Sequence, residues 1–120
     1  MSKSPTGRKV FITNLGYHNY EGAKRFGDLV VLTRGRVDLF HTDRLAGEIL
    51  TKLESAEAED YLLASGSPLI TGICAAALVK RFGVVNFLYW DPLYQDYILR
   101  PFDAETMLIG VEEDEAHLGS

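Results

Sequence analysis

The stretch from Tyr61 to Trp90 constrains the fold more than any other part of the chain. Tyr61 to Ser65 is a short run of β-formers, Ser65-Gly66-Ser67-Pro68 is a turn, Pro68 to Phe82 is an apolar helical pattern, and Val84 to Trp90 is a second β run. Pro68 suits the first helical position, Ser67 the N-cap, and Gly83 the position just past the helix. Lys80 and Arg81 sit in the last turn, where the helix dipole favours cations. Strand, helix and strand in immediate succession make a parallel pair joined by a right-handed crossover. The helix carries Gly72, Ala75, Ala76 and Ala77, which predicts close packing against the sheet it crosses.

The same pattern extends toward the N-terminus. Lys9 to Asn14 reads as a first strand, Leu29 to Thr33 as a second, and Val37 to Phe40 as a short strand or an extended approach to a helix. Asn19 is placed to cap a helical turn over Glu21 to Phe26, closed by Gly27. Thr42 to Ser55 is amphipathic, with Leu45, Ile49, Leu50 and Leu53 on one face, Thr42 as N-cap and Asp43 at the positive end of the dipole. Asp91-Pro92 starts a turn between Val84–Trp90 and Asp96–Phe102, a β-hairpin.

These elements predict an α/β fold, a small Rossmann-like mixed sheet of about five strands with two main helices and a C-terminal β-hairpin. The resemblance to nucleotide-binding Rossmann-like domains is one of pattern, because the G-x-G-x-x-G fingerprint is absent. The chain divides into an N-terminal tail (1–8), one domain (9–102) and an acidic tail (103–120) expected to be disordered. Of the net charge of −5, six acidic residues lie in that last segment with no Lys or Arg, while residues 1–36 hold seven Lys/Arg against Glu21 and Asp28. The acidic total therefore argues little against an anionic ligand. No signal peptide is evident and the longest apolar stretch, Ile73 to Val79, falls far short of a membrane span, so a cytoplasmic protein without membrane contact is expected.

In open α/β sheets, ligands bind beyond the carboxyl ends of the parallel strands. Three segments leave such ends. Ser65-Gly66-Ser67 feeds a helix start, which either merely caps the helix or presents backbone N–H groups to an anion. Tyr17-His18-Asn19-Tyr20 after Asn14 offers rings that stack on a base, or a tyrosine that only anchors the loop, with His18 as candidate acid or base. Arg34-Gly35-Arg36, with Lys24 and Arg25, either neutralises phosphates or is a solvated surface. The candidate ligand set is Asn14, Tyr17, Tyr20, Arg34, Arg36, Ser65, Gly66 and Ser67, with His18 the candidate catalytic residue.

Other features carry less. Cys74 lies in an apolar run and reads as a core residue. With His18, His41 and His117 it shows no metal-ligand spacing, so neither metal nor cofactor is expected. There is no Walker loop and no G-x-S-x-G elbow. Glu57, Glu59 and Asp60 read as a solvated charge run, and Asp91 and Asp96 as structural turn residues. Both faces of the 84–90 strand are substantially apolar, which reads either as buried sheet or as a homodimer surface at the hairpin edge. The leading expectation is a binding protein for an anionic small molecule, phosphorylated or nucleotide-like. The alternatives are a metal-independent phosphoester or nucleotide enzyme using His18, and an adaptor using the hairpin and acidic tail. Direct nucleic-acid binding is not expected, because basic residues are few and no recognised motif is present.

Overall fold

Val10, Phe11 and Ile12, a β-branched and aromatic run, form the body of β1 (Lys9–Ile12). In the computed structural model, which describes residues 7–106, β1 pairs in parallel with β2 (Asp28–Val31) on one side and β3 (Tyr61–Leu63) on the other. β3 pairs in parallel with β4 (Val84–Asp91), and β4 pairs antiparallel with β5 (Asp96–Asp103). The sheet is thus mixed, five-stranded and ordered β2-β1-β3-β4-β5. The two main helices are α1 (Thr42–Lys52) and α2 (Pro68–Phe82), accompanied by short 3-10 turns at Glu21–Arg25 and Leu53–Ser55. This is the small α/β architecture, with its C-terminal antiparallel pair, that the sequence pattern predicts.

Topology decides which face each connection covers. The steps from β2 to β3 and from β3 to β4 run the same way along the sheet, so right-handed crossovers put α1 and α2 on one face. There Leu45, Ile49, Ile70, Cys74 and Leu78 pack on Phe11, Leu62 and Val85. The step from β1 to β2 runs the opposite way, so its 3-10 turn lies on the other face, where Ala23 and Tyr20 cover Val10, Ile12, Leu63 and Leu88. Alternation along each strand separates the two sets: Phe11 points to the helices, Val10 and Ile12 away from them.

Local chemistry sets the boundaries. Ser67 Oγ accepts from the Leu69 N–H (3.2 Å) with Pro68 opening α2, and Gly83 closes it with φ 75°. Asn19 Oδ1 accepts from the Glu21 N–H (2.9 Å), capping the first 3-10 turn from outside. Three expectations are corrected. Thr42 is not the N-cap of α1: His41 holds that position, and its ring instead bonds Asp38 (2.6 Å). Val37–Phe40 is not a strand: Leu39 and Phe40 form a turn, with Asp38 also accepting from the Phe40 N–H (2.9 Å), that leads into α1. Asp60 is not solvated. It is buried, accepts from the backbone N–H groups of Lys9 and Glu57 (both 2.9 Å), and pairs with the Lys9 ammonium (3.2 Å). β5 runs to Asp103, one residue beyond the predicted strand; the remainder of the acidic tail from residue 107, with His117, and residues 1–6 lie outside the described residues.

β5 is an outer strand whose free side is partly blocked. Pro101 has no N–H to give the ladder, so its backbone faces away from β4, and by alternation those of Tyr97 and Leu99 do too. The Tyr97 N–H donates to Asp96 Oδ1 (2.8 Å), the Tyr97 carbonyl accepts from Arg25 (3.2 Å), and the Leu99 carbonyl accepts from Arg100 (2.8 Å). Side chains thereby satisfy edge groups that would otherwise await another strand.

Candidate functional site

Beyond β1 and β3 the chain leaves in opposite directions, from β1 toward β2 and from β3 toward β4. Such divergence opens a crevice at the strand ends. A cavity of about 550 Å³ occupies it, lined by Leu63 and Ala64 at the end of β3, by Ser65 and Gly66, by the Tyr17–Tyr20 loop, and by Trp90 and Tyr97 of the hairpin.

Thr13, buried just past β1, ties the strand ends together. Its hydroxyl accepts from the Ser65 N–H (2.8 Å) and donates to the Ser65 carbonyl (2.6 Å), while the Thr33 hydroxyl donates to the Thr13 carbonyl (2.6 Å). Tyr20 is buried, and its hydroxyl accepts from the Gly16 N–H (3.1 Å) and shares a hydrogen with Ser65 Oγ (3.0 Å). Tyr97 donates its hydroxyl to the Asn19 carbonyl (3.0 Å), fixing the loop to β5, and its ring meets that of Trp90 edge-on at 5.2 Å. Burial, with the neighbouring Tyr20, pushes the Tyr97 phenol upward from its ordinary pKa and so keeps it a donor. Gly66 has φ 84°, and a Cβ built on it would lie 2.7 Å from that of Asn14. Only glycine fits there.

The predicted ligand residues divide into groups. Tyr17, Tyr20, Ser65 and Gly66 line the cavity together with His18. Asn14 lies buried beneath Gly66 and donates to the Gly35 carbonyl (2.8 Å). Ser67 caps α2 and does not reach the lining. Arg34 and Arg36 open instead onto a separate cleft of about 390 Å³ between β2 and α1, shared with Glu48 and Lys52. Lys24 and Arg25 are paired, with Glu21 (2.7 Å) and with Asp96 (2.7 Å). His18 meets Tyr20 edge-on at 6.2 Å and has no hydrogen bond or ion pair to a described residue, so no carboxylate orients it as a base. Cys74 is buried on the helix face, where desolvation pushes its thiol up to about 12.

Sequence reasoning did not assign Trp90, Tyr97 or Thr13 to the site. The parity of the 84–90 strand groups Trp90 with Leu88, but only the strand order shows that this face meets the Tyr17–Tyr20 loop. No Asp, Glu, Lys or Arg side chain lines the cavity. Its aromatic walls and neutral hydroxyls suit a planar, uncharged ring. Among the described residues no cluster of His, Cys, Asp or Glu is placed to hold a metal, and no helix is long and apolar enough to cross a membrane.

A family model described as phage Pam3 gp32-like protein matches residues 8–104, from just before β1 to just after β5. Searches of the curated proteins and of the solved structures give no match.

Proposed function

The chain belongs to the phage Pam3 gp32-like protein family, and we propose that this member binds a small nucleotide-like ligand, with the planar ring seated in the cavity at the strand ends. The observation that carries the reading is the cavity itself, which combines the crevice position, about 550 Å³ of space, and four aromatic residues, Tyr17, Tyr20, Trp90 and Tyr97. Pockets for small molecules typically span roughly 300–1,000 Å³ and are largely apolar with a few placed polar groups. Stacking a base on an aromatic side chain is worth about 1–3 kcal/mol. The ligand's anionic end stays outside the cavity, which offers it no Lys or Arg, because an unpaired phosphate would lose its hydration there. Gly66, leading directly into the start of α2, gives that end a favourable exit.

Trp90 is the chain's one tryptophan and lines the cavity, so selectively excited tryptophan emission reports on this site. Titration with the common nucleosides and nucleotides should give saturable quenching. Unchanged emission with every one of them at millimolar concentration would remove the reading.

A further inference from the structure

The large hydrophobic side chains left in solvent are concentrated at one end of the sheet. Tyr17 follows β1, Phe40 follows β2, Trp90 ends β4, and Leu93 and Tyr94 form the hairpin tip. Because β1 to β4 are parallel, all of these lie at the C-terminal edge. Their exposures are 110% for Tyr17, 96% for Phe40, 80% for Leu93, 72% for Tyr94 and 44% for Trp90. At about 150–250 Å² for each aromatic side chain, the four aromatics alone present roughly 650 Å². The largest apolar patch on a monomer is typically about 300–600 Å², and a stable interface takes roughly 800 Å² from each partner. Leu39, Leu69 and Leu93 on the same edge bring the total to that size.

We propose that this edge is a self-association surface on which two copies meet head-on about a twofold axis normal to the sheet. The proposal goes beyond the ligand reading and stands without it. Such an axis sets the β2 end of one copy against the hairpin end of the other, and each contact occurs twice. Phe40 then meets Leu93 and Tyr94 of the second copy. The charges suit the same pairing: Arg34 and Arg36 at the β2 end and Asp91 at the hairpin end have no ion-pair partner among the described residues. Cation faces carboxylate across the axis, whereas an axis along the edge would set like ends together. Tyr17 and Trp90 belong to both patch and cavity, so association also narrows the ligand's entrance.

The test is sedimentation equilibrium of the full chain from low micromolar to near-millimolar concentration. The expected species has twice the 13.4 kDa chain mass. Phe40→Asp and Tyr94→Asp should each weaken association by at least about 30-fold, the range of interface hot spots. Leu50→Asp, on α1 and away from the edge, should leave it unchanged. Circular dichroism verifies that the variants fold, and Phe40→Ser serves as the milder replacement if an aspartate variant does not. A monomer at every concentration overturns the proposal and leaves the edge to a different protein. A dimer that Leu50→Asp weakens as much as Phe40→Asp overturns it equally.

Discussion

Gly66 allows a test in which two physical effects separate. In Gly66→Ala the new side chain has to occupy φ 84°, where an L residue costs about 1–2 kcal/mol. Its Cβ also lands 2.7 Å from that of Asn14, a buried residue held by its bond to Gly35. Carbon atoms prefer about 3.5–4.0 Å, so the loop has to move by close to 1 Å, and overpacking of that kind costs roughly 1–3 kcal/mol. The two effects together predict a loss of about 2–5 kcal/mol, or a fall in Tm of roughly 10–30 °C for a domain of this size. Gly35 is the control. It has φ 57° but nothing within 4 Å of a built Cβ, so Gly35→Ala carries only the backbone cost of about 1–2 kcal/mol. Urea unfolding followed by circular dichroism gives both values from midpoints at constant slope. If Gly66→Ala loses no more stability than Gly35→Ala, the close approach of the two strand-end loops is wrong, and the site geometry with it.

Other expectations follow from single residues. Trp90→Ala should weaken nucleoside binding by roughly 5- to 150-fold, the loss of one stacking partner, and calorimetry showing wild-type affinity would take Trp90 out of the site. Cys74, with its thiol pushed up to about 12, should resist a thiol reagent in the native protein at mildly alkaline pH and react fully in guanidinium; rapid native labelling would contradict its burial. Arg25 beside Asp96 holds that carboxyl below its ordinary value, so the pair stabilises the fold above the unfolded-state pKa and loses its effect as pH falls through the folded one. The Tm difference between wild type and Asp96→Asn should therefore be small, as befits an exposed pair, and should shrink below about pH 4. A difference that stays constant through acid would mean that the pair does not act through charge.

The architecture was legible because each element carries its own signals. Pro68 and Gly83 bracket α2, and the β runs fall where the strands lie, within one or two residues. Half of the cavity was legible for the same reason, since Tyr17, Tyr20, Ser65 and Gly66 sit in loops directly after strands. The other half depends on contacts remote in sequence. Tyr97 reaches Asn19, and Asp60 reaches Lys9, across more than fifty residues, and no local pattern encodes such a partner. Arg34 illustrates the limit of edge-level reasoning. It shares the strand parity of Leu32, which faces the helices, and so it opens onto the α1 cleft instead of the aromatic cavity.

The partly blocked side of β5 bears on how this chain behaves when crowded. A free strand edge is an open-ended template: each chain that adds to it exposes another, and growth has no natural stopping point. Here Pro101, Arg25, Asp96 and Arg100 interrupt that template along β5, which confines backbone pairing between copies to β2, the sheet's other outer strand. The attraction proposed between copies acts instead through side chains at the loop tips, where a symmetric contact consumes the surface that makes it. Association of this kind saturates at the dimer and does not propagate as strand-by-strand growth does.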